Sequence, residues 1–142
     1  MPRPMYESQE DLQNEAEVMM EFCKAYDKDF MKLPISYKLD FAILKPNSKE
    51  ICGFAEVKYR NFTWGDYPDV MLSLSKVIKA RNTKAMTNIP SFFLVGCRSG
   101  VYWLYLFKQK GKLNFGGRTS KVRDPADIEP VVHFPLDCFR KL

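Results

Sequence analysis

Apolar residues recur three and four positions apart across residues 10–26, EDLQNEAEVMMEFCKAY, and this spacing predicts an amphipathic helix. In projection Leu12, Ala16, Met19, Cys23 and Tyr26 line one face, flanked by Val18 and Phe22, while Glu17, Glu21 and Lys24 lie opposite. Glu10 and Asp11 suit the positive end of the helix dipole. Glu15 breaks the pattern, because it falls inside the apolar arc between Phe22 and Met19. A carboxylate on a buried face costs several kcal/mol unless it is paired or bound to a cation.

The pattern then changes to that of strands. Pro34 keeps the stretch FMKLPISYKLDFAIL extended, and LDFAIL (39–44) has strand character. KPNSKE (45–50) supplies a turn, and ICGFAEVKYR (51–60) continues as the second arm of a hairpin. Asp66, Pro68 and Asp69 mark a helix start, with Val70, Leu74, Val77, Ile78 and Ala85 as its apolar stripe and Ile89-Pro90 as its end. Lys76 projects away from that stripe toward solvent, whereas Arg81 falls within it. Residues 91–107, SFFLVGCRSGVYWLYLF, are interrupted by Arg98, Ser99 and Gly100, so they read as two strands and a tight turn instead of a membrane span. Residues 108–123 carry six cations, three glycines and no acid, the composition of a loop or irregular ribbon, and Val131–Phe134 adds a last strand. The expected architecture is α/β, a single domain over 1–142: a mixed central sheet flanked by helices.

Composition narrows the function. A hydrophobic fraction of 46% and an aromatic fraction of 14% exclude a disordered chain. Basic residues outnumber acidic ones by 22 to 17, a balance compatible with a polyanionic partner and equally with mere solubility. Cys23, Cys52, Cys97 and Cys138 stand singly, which argues against a zinc cluster. MPRPMYESQEDLQ contains no apolar signal segment, so reduced thiols in a cytoplasm are expected. His133 is the single histidine, which counts against histidine-based triads and multi-histidine metal sites, and VVHFP gives it an ordinary strand setting.

FAEVKYR holds the candidate chemistry. Residues two apart in a strand share a face, so Glu56 and Lys58 project together. One Glu-x-Lys per chain is expected roughly by chance in a composition of this kind, and its ordinary meaning is a surface ion pair worth at most about 1 kcal/mol. Context strengthens it: Asp40 opens the preceding strand, where a hairpin can bring it beside Glu56, and Glu15 points from the first helix toward the sheet. Carboxylates crowded together repel unless a cation lies between them. All-oxygen ligands suit Mg²⁺ or Mn²⁺.

Glu15, then Asp40 in YKLD, then Glu56-Val57-Lys58, with a helix and strand pair following, resembles the PD-(D/E)XK nuclease superfamily, which has the restriction-endonuclease-like fold and includes Holliday-junction resolvases. The resemblance covers residues 10–107 and departs from the motif at Leu39, where the name has Pro. It implies an α-β-β-β-α-β-β order and Mg²⁺-dependent hydrolysis of DNA phosphodiesters, with Mn²⁺ as a substitute. Asp40 and Glu56 would ligate the metal with the backbone carbonyl of Val57, Glu15 would complete the site directly or through water, and Lys58 would orient the nucleophile or stabilise the transition state. The substrate would be branched, single-stranded or duplex DNA in recombination, repair or phage DNA processing in the host cytoplasm. A homodimer would suit cutting of two strands. Arg60 and the segment bearing Lys108, Lys110, Lys112, Arg118, Lys121 and Arg123 are candidate DNA contacts, and Tyr59 and Trp64 could stack on bases. The resemblance places Lys76 in a helix region where some family members carry a further catalytic or DNA-contacting residue, against its solvent-facing projection. Core packing is an equal reading for Trp64, and a solvated loop is one for the basic segment. The alternative function is a nucleic-acid-binding module that retains the fold without the chemistry.

Overall fold

The computed structural model describes residues 9–107, 111–116 and 128–142. Helix α1 spans Gln9–Tyr26, and the chain leaves it through Asp27 in a left-handed conformation (φ 53°). Val18, Met19, Phe22 and Cys23 are its buried residues, while Leu12 and Tyr26, at the ends of the expected face, are exposed. Four strands follow: β1 (Asp29–Lys32), β2 (Phe41–Leu44), β3 (Ile51–Tyr59) and β4 (Asp69–Ser73). Helix α2 (Leu74–Thr87) precedes β5 (Ser91–Cys97), β6 (Gly100–Tyr105), β7 (Lys112–Gly116), β8 (Glu129–Pro135) and β9 (Arg140–Lys141). Asn88, also left-handed (φ 60°), donates its N–H to the Lys84 carbonyl and ends α2 before Ile89-Pro90, as the sequence predicts.

The start of α2 corrects the sequence reading. Residues 69–73, expected in the helix, form β4, so four strands separate the two helices, not three. Val70 and Leu72 are buried and Met71 is exposed, a period of two, and the segment pairs antiparallel with β8. A strand partner some sixty positions away leaves no trace in local spacing, and Val70 fits a helical stripe as well as a strand.

The main sheet has the order β1-β2-β3-β5-β6-β9, with β3 and β5 parallel and the other neighbours antiparallel. Parallel neighbours require a crossover, which here contains β4 and α2. A second sheet, β4-β8-β7, accompanies α2. α1 covers one face of the main sheet, where Val18, Met19 and Phe22 meet Phe41, Ile43, Ala55, Val57, Leu94 and Val101. On the other face Val77 and Ala80 of α2, with Val70, Leu72, Val132 and Phe134 of the second sheet, pack on Phe93, Val95 and Leu104. Alternation along β3 therefore puts Ala55 and Val57 under α1 and aims Glu56 and Lys58 into the layer between the sheets.

Close packing of α1 depends on Gly96. A Cβ at this β5 position would lie 2.4 Å from Cγ2 of Val18. Gly96→Ala is expected to destabilise the fold by about 1–3 kcal/mol in chemical denaturation, as overpacking generally does. Adding Val18→Ala should recover part of that loss; no recovery would place the strain elsewhere.

The hairpin of residues 91–107 forms as β5 and β6, and no helix among the described residues is long and apolar enough to cross a membrane. Lys112 lies in β7, an edge strand whose Leu113 and Phe115 are exposed. Lys108, Lys110, Arg118, Lys121 and Arg123 lie outside the described residues.

Candidate active site

The register of β2 against β3 builds the centre of the site. The pairing reaches Phe41 opposite Ala55 and stops there, so β3 runs on from Glu56 with that edge uncovered. Asp40 stands one residue before β2 and takes over the edge. Its N–H donates to the Ala55 carbonyl (3.1 Å), and its Oδ2 accepts the N–H of Val57 (2.9 Å). The N–H and C=O of one strand residue point to the same side, so the Val57 carbonyl opens on this edge too, beside the Asp40 carboxylate.

Glu56 is 2% exposed. Lys76, from the first turn of α2, pairs with its Oε1, while Oε2 is buried and receives no hydrogen bond. Burial, with repulsion from Asp40, pushes the Glu56 carboxyl up to about 8 against the pull of Lys76; the two carboxyls lie within hydrogen-bonding reach of each other. Burial pulls Lys76 down, but attraction to Glu56 and Asp40 outweighs it and leaves this ammonium raised. A second lysine, Lys32, stands 3.8 Å from Asp40 Oδ1 and is more exposed.

Lys58 lies on the same side of β3 as Glu56, and its Nζ donates to the Met71 carbonyl of β4 with the Phe93 ring 5.9 Å away. Burial, and then Arg60, bring it down to about 8. The guanidinium of Arg60 donates to the Tyr59 carbonyl (3.0 Å), and the α1 acids Glu15 and Asp11 act on it electrostatically.

Asp40, Glu56, Lys58 and the Val57 backbone therefore meet in one place. Glu15 is half-buried on α1, and its charge acts on Arg60 and on Lys76, the partner of Glu56. Among the described residues no three His, Cys, Asp or Glu side chains are grouped to hold a metal ion. The donors present nevertheless fit a cation: an orphaned, buried carboxylate oxygen beside a second carboxylate and an open carbonyl is a set that only a proton or a cation can bridge.

Lys76 is the residue whose solvent-facing projection the structure corrects. It was expected in solvent, yet its side chain is 32% exposed and reaches the buried Glu56. Helical projection failed because the segment before it is a strand and α2 begins only at Leu74, which places Lys76 in the first turn, at the mouth of the layer between the sheets. Arg81 is exposed instead of lying within an apolar stripe. Trp64 is a packing residue: it stacks on Tyr102 (3.9 Å between centroids, 4° between planes) and meets Phe139 edge-on. His133 ties the second sheet together through Nδ1 to Asp69 (3.0 Å) and Nε2 to Asn114 (2.8 Å). All four cysteines are free thiols.

A mixed sheet with a helix on either side, Asp40 ahead of one strand and Glu56-Val57-Lys58 on the next, is the restriction-endonuclease-like fold of the PD-(D/E)XK superfamily. Within it, the chain belongs to the family described as "Phage putative PDDEXK endonuclease", which it matches over residues 1–142. No curated protein and no solved structure gives a significant match.

Proposed function

We propose that this chain is a Mg²⁺-dependent deoxyribonuclease of phage DNA processing, recombination or repair, with Mn²⁺ as a substitute ion. The observation that carries the reading is the orphaned Glu56 oxygen beside the Asp40 carboxylate, at the strand edge where the Val57 carbonyl opens. Asp40, Glu56 and that carbonyl would hold the ion, with Glu15 completing the site directly or through water. When bound, the ion supplies Lewis acidity, which lowers the pKa of water and offsets charge growing on the phosphate.

The remaining work falls to side chains. Lys58, held by Met71 and brought down to about 8, can give up or take a proton near neutral pH and keeps a compact charge beside the reacting phosphate. Lys58→Ala is expected to slow cleavage by roughly 10²–10⁴-fold, the usual range for a positioned acid–base group. DNA affinity should change only a few-fold; a variant that cuts at the wild-type rate would remove Lys58 from the chemistry. Arg60, Lys112 and the basic segment containing Lys108, Lys110, Arg118, Lys121 and Arg123 would follow the phosphate backbone, which makes binding weaken steeply with salt.

The deciding experiment is a panel of fork, four-way junction, flap, single-stranded and duplex DNAs with and without Mg²⁺ or Mn²⁺. Cleavage that needs the ion supports the proposal and ranks the substrates. Salt-sensitive binding with no cleavage on any of them would make the chain a nucleic-acid-binding module instead. Cutting of both strands by a dimer, seen in sedimentation with DNA, would favour a symmetric pair on the substrate.

A further inference from the structure

The Asp40–Glu56 pair already has a cation of its own. Lys76 reaches in from α2 to Oε1 of Glu56, leaving Oε2 buried without a hydrogen bond. The other cations of the site are engaged differently: Lys58 is held by the Met71 carbonyl, Arg60 by the Tyr59 carbonyl, and Lys32 stands 3.8 Å from Asp40 with its side chain 43% exposed. Among the described residues, Lys76 alone forms an ion pair with Glu56.

We infer that Lys76 is a displaceable counter-cation that makes divalent metal and DNA bind cooperatively. The inference rests on the nuclease reading of the same site. A divalent ion held by Asp40 and Glu56 would share Glu56 with the Lys76 ammonium, and like charges drawn to one buried carboxylate repel strongly. Ion and ammonium therefore compete for Glu56. Lys76 can leave, because its flexible four-carbon stem comes from a helix at the mouth of the layer and its side chain is already one-third exposed. An anion in front of the site would stabilise the displaced ammonium, and a DNA phosphate is such an anion. Phosphate binding then favours the state that accepts metal, and by reciprocity metal favours the state that accepts phosphate. In the absence of metal, Lys76 offsets part of the repulsion between Glu56 and Asp40.

Calorimetric titration of Mg²⁺ and Mn²⁺ into metal-free wild type, Lys76→Met and Lys76→Arg tests this without reference to activity. Lys76→Met is expected to bind the ions at least tenfold more tightly than wild type, to melt at lower temperature when metal-free, and to regain wild-type melting at saturating Mg²⁺. Lys76→Arg, which keeps the charge, should stay near wild type. A short fork DNA, added in the Lys58→Ala background to limit cutting, should raise Mg²⁺ affinity about tenfold with Lys76 present and less than twofold with Lys76→Met. Equal or weaker metal binding by Lys76→Met would overturn the inference alone. Absence of binding by all three proteins at millimolar metal would overturn it together with the metal-site reading beneath it.

Discussion

Replacing Glu56 with Gln is expected to abolish cleavage and, at the same time, to raise the melting temperature of the metal-free protein at alkaline pH. Both effects follow from the same burial. Glu56 is 2% exposed beside Asp40, and its carboxyl is pushed from an ordinary value of 4.5 up to about 8. A carboxyl raised on folding holds its proton longer in the folded than in the unfolded chain. The stability this provides is fully present below the unfolded value and is lost as pH rises toward the folded one. Wild type should therefore lose stability between about pH 4.5 and pH 8, by on the order of a few kcal/mol, since each pKa unit corresponds to about 1.4 kcal/mol. The neutral amide carries no such charge, so the melting-temperature gap between variant and wild type should open across that range and level off above it. Mg²⁺ should reverse the order at pH 9, because the ion stabilises the wild-type carboxylate and finds one ligand fewer in the variant. A gap that does not change with pH would contradict the buried, proton-holding state of Glu56.

Asp40 is expected to produce the other large effect, and here two substitutions separate chemistry from structure. Asp40→Asn keeps an oxygen for the Val57 N–H, now accepted by Oδ2 at 2.9 Å, but removes the charge. It should fold like wild type and lose cleavage by on the order of 10³-fold, because forfeiting several kcal/mol of charge stabilisation at about 1.4 kcal/mol per decade gives that scale. Asp40→Ala should lose activity equally and also stability, by about 1–3 kcal/mol, since it strips the acceptor from a backbone donor at the uncovered edge of β3. Denaturant titrations of the two variants against a single-turnover assay make the comparison. An active Asp40→Asn would remove this carboxylate from the proposed metal site, whereas equal stability of the two variants would show that the edge bond contributes little.

Much of this frame was legible in residue order. The spacing of Val18, Met19, Phe22 and Cys23 forecasts α1 and its buried face, and Pro34, the 45–50 turn and the Arg98-Ser99-Gly100 break place β2, β3, β5 and β6. The period of two in β3 puts Glu56 and Lys58 on one face, and Asp40 in YKLD marks the start of the neighbouring strand. These are local properties: helix and strand periods, turn chemistry and proline geometry act within a few residues of where they are read.

What the sequence could not hold was pairing across distance. Residues 69–73 become β4 because β8 lies beside them, and that shift moves the helix start to Leu74 and Lys76 into its first turn. The Glu56–Lys76 pair, the Lys32–Asp40 contact and the His133 tie join residues brought together by sheet register and crossover, which no local spacing encodes. Periodicity could say that Glu15 breaks its helix's polarity. Only the assembled sheet could put α1 on the face opposite Glu56 and bring the charge of Glu15 to bear on Arg60 and Lys76. The sequence thus determined which residues share a face. The tertiary structure decided which faces meet, because burial and charge pairing depend on neighbours the chain reaches only by folding.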